Sequence, residues 1–413
     1  MRYGLIGKKL GHSFSKIIHE RLADYTYDLI PLSEEELDAF LSVRDFSALN
    51  VTIPYKETVI PYLDVLDTHA KKIGAVNTIV NQNGILTGYN TDFFGFRYLL
   101  LHNGIDVKGK KVLVLGKGGA AKAVWAVLEA LDAAMVLTVY HKPHPQAVTY
   151  AECYQKHTDA DIIINTTPVG MYPNGADCPI QLDRFPALKG VVDVIYNPLR
   201  TKLIVEAQKR GIPTAGGLEM LVAQAKYAAE IFLCKKIAED TIENIHRTLL
   251  EEQRNLVLIG MSGSGKTTLG RQTAKQLGKA FVDTDAEISK RIGMPIANFF
   301  ATKGEAAFRQ IEAEVVAELS SANGLVISTG GGVVKKQENI DLLRQNGSIL
   351  WLKRDAALLE SGKGRPLAPD ADVAEQLYRE RLPLYIAAAD AIAENNGTEE
   401  EGLLSILTTY KKT

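Results

Sequence analysis

The stretch NLVLIGMSGSGKTT, residues 255–268, joins an apolar run to a glycine-rich loop that ends in a lysine and two threonines. Glycines let backbone N–H groups converge on phosphate oxygens, and the lysine would reach the β- and γ-phosphates of a nucleotide. The residues match the pattern G-x-x-x-x-G-K-[ST], and a helical segment, TTLGRQTAKQLG, follows them as that pattern requires. The residues predicted to bind phosphate are Gly263, Ser264, Gly265, Lys266, Thr267 and Thr268.

Apolar runs of strand length recur through the chain and alternate with helical stretches. Such runs are typical of parallel sheets that helices cover on both faces. The sequence therefore predicts an α/β protein. The predicted strands include KVLVLG (111–116), AMVLTVY (134–140), DIIINTT (161–167), VVDVIY (191–196), NLVLIG (255–260), LVISTGG (325–331) and SILWL (348–352).

Composition and length limit the class of protein. The chain has 413 residues, of which 46% are hydrophobic and 23% charged, as in globular proteins of two to three domains. A net charge of -2 gives no electrostatic reason to expect a nucleic-acid or membrane partner. The opening MRYGLIG resembles a core strand rather than a signal peptide. Three widely spaced cysteines indicate reduced thiols, so we expect a cytoplasmic protein.

A second glycine-rich turn, GKGGAA (116–121), lies between the run KKVLVL and a helical segment. It fits G-x-G-x-x-[GA], the pattern of a dinucleotide site in which a helix N-terminus faces the pyrophosphate. The next strand ends in Tyr-His-Lys, without the acidic residue that binds a ribose 2′-hydroxyl, so the sequence favours NADP over NAD. The alternative is a basic surface turn. The predicted cofactor residues are Gly116, Gly118, Gly119, Ala120, Ala121, His141 and Lys142.

Three further motifs follow the loop at 260–268. AFVDTDAEI places Asp283 and Asp285 at alternate positions, on one face of a strand end. Paired carboxylates there can hold hydrated Mg²⁺ and accept a hydroxyl proton, and a solvated strand end is the alternative. Arg309 and Glu312 lie three residues apart on a predicted helix, which is also the spacing of a surface ion pair. The glycines 330–332 suggest that a ligand approaches the backbone closely.

The order GMSGSGKTT, DTD, FRQIE, GGG, RPL, R-x-PLY resembles shikimate kinase across about residues 254–410. The resemblance implies that ATP and Mg²⁺ are used, with Thr267 and Asp283 at the metal and Asp285 facing the attacking 3-hydroxyl. It also implies that Arg365, in a lid, reaches the transferred phosphate. The chain departs from the family in a trimmed lid and in LYIAAAD, which lacks the acidic residue usual after LY. The implied shikimate-binding residues are Asp285, Arg309, Gly330, Gly331, Gly332 and Arg381.

Two residues of the first half could form a proton-transfer pair. LNVTIPYKE (49–57) predicts a strand-to-loop turn that exposes Lys56, and GYNTDFFGF contains Asp92. An amine paired with a carboxylate can exchange a proton with a carbinol or ketone. From the residues alone Lys56 could be a surface lysine, and nothing in the sequence shows that it contacts Asp92.

The ordered motifs GHSFSKIIH, NVTIPYKE, GAVNT, NTD–GF, GKGGAAKA, INTTPVGM, DVIYNPLRT and GLEMLVAQA resemble shikimate dehydrogenase over roughly residues 2–245. The resemblance implies that Lys56 and Asp92 are the catalytic pair. The chain departs from the family at 141–143, where it has His-Lys-Pro and Asn-Arg-Thr is usual. This difference bears on the NADP preference, because lysine is a point charge and lacks the guanidinium fork of arginine. The implied substrate residues are Ser13, Ser15, Thr52, Asn77, Gln224 and Tyr196. The implied residues near the nicotinamide are Asn165, Thr166, Thr167, Met171 and Tyr196.

Together the two resemblances predict a dehydrogenase fused to a kinase of the nucleoside-monophosphate-kinase type. The predicted domains are a substrate domain of residues 1–92 and 218–250, a Rossmann-type NADP domain of 93–217, and a P-loop domain of 254–413. The predicted junction, at 248–254, follows an apolar helical stripe that runs from Leu218 to Glu252.

The function implied is reduction of 3-dehydroshikimate by NADPH, followed by ATP-dependent 3-phosphorylation of shikimate, two steps towards chorismate and the aromatic amino acids. The expected partners are small-molecule substrates, and a homodimer is left open. The sequence leaves two alternatives open. One is a quinate/shikimate dehydrogenase with relaxed cofactor use, fused to the kinase. The other is a non-catalytic regulator that only binds metabolites.

Overall fold

The computed structural model describes residues 2–11, 13–359 and 371–413. The chain divides into two compact units, one ending at Thr248 and the other beginning at Leu249. Three sheets run through the described parts of the chain, two in the first unit and one in the second. The α/β fold class predicted from the sequence is confirmed. Among the described residues, none of the helices is long and apolar enough to span a membrane.

The first sheet of the first unit has the strand order β2-β1-β3-β5-β6-β4. Its strands are β1 (Tyr3–Gly7), β2 (Tyr27–Pro31), β3 (Ala48–Val51), β4 (Val65–Leu66), β5 (Thr78–Gln82) and β6 (Ile85–Tyr89). The helices of this part are α1 (Ser15–Leu22), α2 (Glu34–Val43), α3 (Thr68–Ile73) and α4 (Asp92–His102).

This sheet is mixed, because β5 runs antiparallel to both β3 and β6. The runs from which parallel sheets were predicted all lie in the other two sheets, which are parallel. A hairpin reverses the chain between β5 and β6 at Asn83 and Gly84, whose φ angles are 55° and 89°. Asn-Gly is the favoured pair for such a two-residue turn, so the sequence did carry the signal.

The second sheet is parallel, with the strand order β12-β11-β10-β7-β8-β9. Its strands are β7 (Lys111–Leu115), β8 (Met135–Tyr140), β9 (Val148–Thr149), β10 (Ile162–Asn165), β11 (Gly190–Asp193) and β12 (Thr214–Gly216). The helices that accompany it are α5 (Gly119–Ala130), α6 (Tyr150–Lys156) and α7 (Lys202–Lys209). Strands β7, β10 and β11 are buried through nearly all of their lengths, as their apolar runs predict.

The stripe predicted from Leu218 to Glu252 forms two helices, α8 (Gly217–Leu233) and α9 (Asp240–Gln253). The first ends at Cys234, which has a left-handed φ of 48°. Neither glycine nor proline marks this break, so the apolar period alone did not reveal it. The division between the two units falls within α9. The predicted domain boundaries stay a prediction.

The sheet of the second unit is parallel, with the order β14-β15-β13-β16-β17. Its strands are β13 (Asn255–Ile259), β14 (Ala280–Asp283), β15 (Leu325–Ser328), β16 (Gly347–Lys353) and β17 (Ala391–Glu394). The helices are α10 (Lys266–Leu277), α11 (Thr284–Ile292), α12 (Ile296–Ser320), α13 (Gln337–Asn346), α14 (Ala371–Ala388) and α15 (Glu399–Lys412). Helix α12 is kinked at Gly304, where φ is 79°.

His19 is a fully buried imidazole in the first unit. Its ring stacks on Tyr27 with the centroids 4.1 Å apart, and its Nδ1 lies 2.7 Å from the Tyr25 hydroxyl. Because burial disfavours the charged ring, the pKa of His19 is lowered to about 3. The native state therefore resists a proton that the unfolded chain accepts below about pH 6.5.

We expect the free energy of unfolding of the first unit to fall as the pH drops below about 6.5, with a slope from His19 that approaches about 1.4 kcal/mol per pH unit. The variant His19→Gln lacks this contribution. Trp125 lies in the first unit and Trp351 in the second, so Trp125 fluorescence in a Trp351→Phe background would report denaturant unfolding of the first unit. Identical pH slopes with and without His19 would contradict the burial argument.

Candidate active sites

Lys56 and Asp92 meet in the first unit, with Lys56 Nζ 2.6 Å from Asp92 Oδ2. Their side chains are only 17% and 8% exposed. Lys56 lies in the turn that follows β3, and Asp92 opens α4, where the helix dipole favours a carboxylate. The two residues are 36 positions apart in the chain, so only the fold brings this predicted pair together.

Asn77 holds the second oxygen of Asp92. Its amide nitrogen donates to Asp92 Oδ1 at 3.0 Å and to Gln224 Oε1 at 3.2 Å, while its own oxygen accepts from the Thr91 N–H at 2.7 Å. Gln224 comes from α8, far along the chain. Four residues predicted for one site, Lys56, Asn77, Asp92 and Gln224, are therefore joined by direct hydrogen bonds in a largely buried cluster.

The two predicted serines, Ser13 and Ser15, flank Phe14 in the chain. The Ser15 N–H donates to Ser13 Oγ at 3.2 Å, and the Phe14 ring lies 5.6 Å from the ring of Tyr196. Burial raises the pKa of the Tyr196 hydroxyl, which keeps it protonated. Thr52 directly follows β3, and its N–H donates to the Ile6 carbonyl at 2.9 Å.

The glycine turn at 116–121 connects β7 to α5 as the dinucleotide pattern requires. Gly116 has φ 101°, and a Cβ there would lie 2.9 Å from Thr166 Oγ1. Gly118 caps α5, so Gly119, Ala120 and Ala121 form its first turn with free backbone N–H groups. A Cβ at Gly119 would lie 3.4 Å from Lys56 Cδ, so this helix N-terminus adjoins the Lys56–Asp92 pair. The backbone therefore has room for a pyrophosphate close to a proton-transfer pair.

Asp193 is a functional candidate that the sequence reasoning missed. It is fully buried at the end of β11 and accepts hydrogen bonds from Asn165 Nδ2 at 3.1 Å and Thr201 Oγ1 at 2.7 Å. Burial raises the pKa of Asp193 to about 7, although the hydrogen bonds that it accepts act to lower that pKa. Asn165 in turn accepts from Thr167, so one carboxylate orders the loop after β10. Its signal was a single Asp inside the apolar run VVDVIY.

The remaining predicted cofactor residues lie at strand ends. Met171 is exposed in the loop after β10, and His141 and Lys142 are exposed directly after β8. The structure therefore places Asn165 at the end of β10, with Thr166, Thr167 and Met171 on the loop that follows it. The basic pair lies beyond a different strand of the same sheet.

In the second unit, residues 260–265 form a loop between β13 and α10, and Lys266, Thr267 and Thr268 begin that helix. Gly263 and Gly265 have φ angles of 84° and 92°, which favour glycine. The Lys266 ammonium donates to the carbonyls of Gly260 at 2.9 Å and Met261 at 2.8 Å, across the loop. Buried Ser264 Oγ has no hydrogen-bond partner among the described residues. These features fit a loop that binds the phosphates of a nucleotide.

The prediction that Asp283 and Asp285 share one face of a strand is wrong. Asp283 ends β14 and caps α11, accepting from the Asp285 N–H at 3.0 Å, so Asp285 lies in the first helical turn. Thr267 Oγ1 donates to Asp283 Oδ2 at 2.7 Å. One hydroxyl and one carboxylate suit Mg²⁺, which takes few protein ligands beside phosphate and water. The described residues contain no group of three or more His, Cys, Asp or Glu side chains able to hold a metal alone.

Asp285 lies on the floor of the same cleft. A Cβ at Gly330 would lie 2.7 Å from Asp285 Oδ1, so the carboxylate touches the triple glycine. The residue is exposed to water in the open cleft, and partial desolvation by the cleft walls together with the Asp283 carboxylate raises its pKa. Lys266 and Arg309 oppose the rise. A carboxylate with a raised pKa accepts a proton more readily than a fully solvated one.

Two guanidinium groups converge beside the triple glycine. Arg309 leaves no room for a side chain at Gly332, and a Cβ at Gly331 would lie 3.4 Å from Arg381 Nη1. Arg309 Nη1 lies 2.7 Å from Glu312 Oε2, and Glu312 is 1% exposed, so this is not the surface ion pair that the sequence allowed. Tyr385 fixes the loop, because its hydroxyl donates to the Gly331 carbonyl at 2.5 Å.

Arg381 is a buried cation whose capacity for hydrogen bonds is not used up. It is 3% exposed, and neither Nε nor Nη2 has a hydrogen-bond partner among the described residues. The cleft that it lines has a volume of about 680 Å³ and also includes Lys266, Asp285 and Arg309. A buried guanidinium needs an anion to offset its lost hydration. Arg365, the predicted lid residue, lies outside the described residues.

The fold and the two sites define the class of protein: a dinucleotide-dependent oxidoreductase in the first unit joined to a P-loop kinase in the second. Two family models match the chain. One describes the shikimate dehydrogenase substrate binding domain and matches residues 5–79, and the other describes shikimate kinase and matches residues 262–411.

Relatives agree with the first of these matches. A shikimate dehydrogenase (NADP(+)) of Clostridium perfringens is 37% identical over 265 residues, which are 60% of this chain and 97% of the relative. Shikimate dehydrogenase 1 of Peptoclostridium difficile, a crystal structure, is 36% identical with a TM-score of 0.56, covering 60% of this chain and 98% of its own. A chorismate mutase/shikimate 5-dehydrogenase fusion of Clostridium acetobutylicum is 35% identical with a TM-score of 0.57, covering 60% and 97%.

The chain therefore belongs to the shikimate dehydrogenase family, and a shikimate kinase domain follows in its second unit. It is a bifunctional enzyme of the shikimate pathway that uses NADP in one unit and ATP with Mg²⁺ in the other.

The unused hydrogen-bond donors of Arg381 lead to a prediction about ligand-induced stability. We expect shikimate to raise the unfolding temperature of the second unit, because it binds only the folded protein. In Arg381→Met this rise disappears, while the ligand-free variant unfolds at a temperature at least as high as the wild type, since a poorly paired buried charge is removed.

The matched control is Arg379→Met on the same helix, where the arginine is exposed and pairs with Glu375 at 2.6 Å. It should keep the full response to shikimate in thermal unfolding. A drop of several degrees in ligand-free Arg381→Met would mean that the guanidinium serves the fold rather than a ligand.

Proposed function

We propose that the first unit reduces 3-dehydroshikimate to shikimate with NADPH, and that the second unit transfers the γ-phosphoryl group of ATP to the 3-hydroxyl of shikimate. The observation that carries the first half is the 2.6 Å Lys56–Asp92 pair beside the N-terminus of α5. The convergence of Arg309, Arg381 and Asp285 on the triple glycine carries the second half.

Lys56 is the proposed proton donor of the reduction. Its ammonium has three N–H bonds, and Asp92 occupies one of them, which leaves others for the oxygen of a bound ketone. NADPH supplies the hydride when bound. As that oxygen gains charge, Lys56 donates a proton to it, and Asp92 keeps the amine oriented. Low exposure of both side chains strengthens this electrostatic stabilisation.

The remaining residues of the first site are assigned to binding. Asn77 and Gln224 donate and accept hydrogen bonds in the same cluster as Asp92, so we assign them, with Thr52, to the substrate hydroxyls. We assign Ser13 and Ser15 to the substrate carboxylate. We assign Tyr196 to the adjoining wall of the substrate site, because its ring packs on Phe14, the residue between the two serines in the chain.

The dinucleotide is assigned to the carboxyl edge of the second sheet. The backbone of residues 116–121 would hold the pyrophosphate at the N-terminus of α5. His141 and Lys142 would bind the 2′-phosphate, and the loop with Asn165, Thr166, Thr167 and Met171 would border the nicotinamide.

In the second site, we assign the charged side chains to the nucleotide phosphates, the metal ion and the phosphoryl acceptor. The loop amides of residues 263–268 and Lys266 would hold the phosphates, and Thr267 with Asp283 would hold Mg²⁺. Asp285 would accept the proton of the attacking hydroxyl, and its raised pKa supports this role. Arg309 and Arg381 would clamp the carboxylate of shikimate beside Gly330–Gly332. Arg365 would reach the phosphate from the lid.

We further infer that the enzyme works in the cytoplasm. The three cysteines, Cys153, Cys178 and Cys234, are free thiols, as a reducing compartment would keep them. Burial raises the pKa of the Cys153 and Cys178 thiols to about 11 and about 12, so both resist oxidation. A homodimer stays a prediction that sedimentation of the whole chain would test.

Single substitutions should separate the two activities. Lys56→Ala is expected to lower the rate of 3-dehydroshikimate reduction by about a hundredfold to ten-thousandfold, the usual share of acid–base catalysis, and to leave shikimate phosphorylation unchanged. Lys266→Ala should have the reverse effect. Steady-state rates of each half-reaction, measured separately on the purified chain, check both.

A suitable control is Lys72→Ala, which removes an exposed lysine paired with Glu129 at 2.9 Å and should retain both activities. If either Lys56→Ala or Lys266→Ala abolished both reactions in folded protein, the assignment of two separate sites would be wrong.

A further inference from the structure

A basic cluster at the carboxyl end of β8 contains more than the two residues assigned to the 2′-phosphate. We define the Tyr140 cluster as Lys117, Tyr140, His141, Lys142 and His144. Lys117 Nζ lies 5.4 Å from the centre of the Tyr140 ring, and the His141 and His144 rings lie 4.3 and 6.4 Å from that ring. An aromatic face within about 6 Å of an ammonium attracts it, so Tyr140 holds Lys117 over the end of the strand.

Within the described ranges 2–11, 13–359 and 371–413, the two lysines of the cluster have no carboxylate partner. Lys117, His141 and Lys142 are exposed, and neither lysine forms an ion pair there. His144 Nδ1 accepts from the Gln146 N–H at 3.1 Å, so its neutral ring carries the proton on Nε2 and can donate there. The cluster therefore offers positive charge and N–H donors to an anion.

The fold places this charge where an adenosine ribose would lie. Lys117 is the residue between Gly116 and Gly118 of the glycine turn, and Lys142 follows the neighbouring strand. Strands β7 and β8 pair in parallel with Leu115 opposite Val139, so both residues lie beyond the same edge of the sheet. In this fold the 2′-substituent of the ribose faces the end of the second strand.

We propose that Lys117 determines cofactor specificity by binding the 2′-phosphate together with Lys142. Two ammonium charges would replace the single guanidinium fork that a lysine at 142 cannot supply. The cation–π contact with Tyr140 limits the freedom of the Lys117 side chain before the cofactor binds. This inference rests on the proposed use of NADP by the first unit and adds a residue that the sequence did not assign.

The test measures binding of NADP⁺ and NAD⁺ to the whole chain by calorimetry. These two ligands differ only in the 2′-phosphate, and simpler adenine nucleotides are avoided because the loop at 260–268 also binds them. Lys117→Ala should weaken NADP⁺ binding about tenfold or more, the usual worth of one charge-assisted hydrogen bond, and change NAD⁺ binding less than about twofold. Lys142→Ala should act alike, and the double variant should bind NADP⁺ and NAD⁺ about equally.

Lys108→Ala is the matched control, because it removes an exposed lysine that precedes β7 rather than following it. It should leave both affinities unchanged. Equal weakening of NADP⁺ and NAD⁺ by Lys117→Ala, or no weakening of either, would overturn the assignment. A wild-type chain that bound neither dinucleotide would instead refute the proposed cofactor, so the two failures can be told apart.

Discussion

Parallel strands bring the residues that follow them to one edge of a sheet, and both active sites depend on this constraint. Lys56 follows β3 and Asp92 follows β6, which runs in the same direction as β3 because β5 is antiparallel to both. The glycine turn at 116–121 follows β7, and the phosphate loop at 260–268 follows β13. Helix N-termini open at the same edges, so backbone N–H groups and charged side chains meet there without long loops.

The charged side chains at these sheet edges are reactive because they are largely buried. The Lys56 ammonium and Asp92 carboxylate sit largely out of water, and Asn77 satisfies the second oxygen of that carboxylate. In the second unit Glu312 balances Arg309, whereas buried Arg381 retains unused donors. Buried charges are unfavourable unless they are paired, so a site of this kind reduces stability until an anionic substrate completes it. The two units apply the same physical device to different reactions.

The local motifs were predictable from the sequence, whereas the contacts between residues of different motifs were not. Both glycine loops, their flanking strands and the triple glycine follow from short-range patterns, and the structure has the elements where the sequence predicts them. The contact of Lys56 with Asp92 spans 36 positions and depends on the β5–β6 hairpin, which periodicity alone did not reveal. Asp285 was misplaced because the capping side chain of Asp283 starts a helix at once.

Some residues had a weak sequence signal or none. Asp193 acts through three elements that only the fold brings together, and Tyr385 contacts the triple glycine across 54 positions. Cys234 breaks the long helical stripe without glycine or proline. Lys117 lies inside the glycine turn at 116–121, and the sequence assigned only the glycines and alanines of that turn to the cofactor. The position of its amine over the Tyr140 ring suggests a separate role.

The most direct measurement supplies the purified chain with 3-dehydroshikimate, NADPH, ATP and Mg²⁺ and follows NADPH, ADP and shikimate 3-phosphate together. The account predicts one NADPH oxidised and one ADP formed for each shikimate 3-phosphate, with no ADP when NADPH is withheld unless shikimate is added. NADPH oxidation that never leads to shikimate 3-phosphate, or phosphorylation of 3-dehydroshikimate itself without reduction, would contradict it.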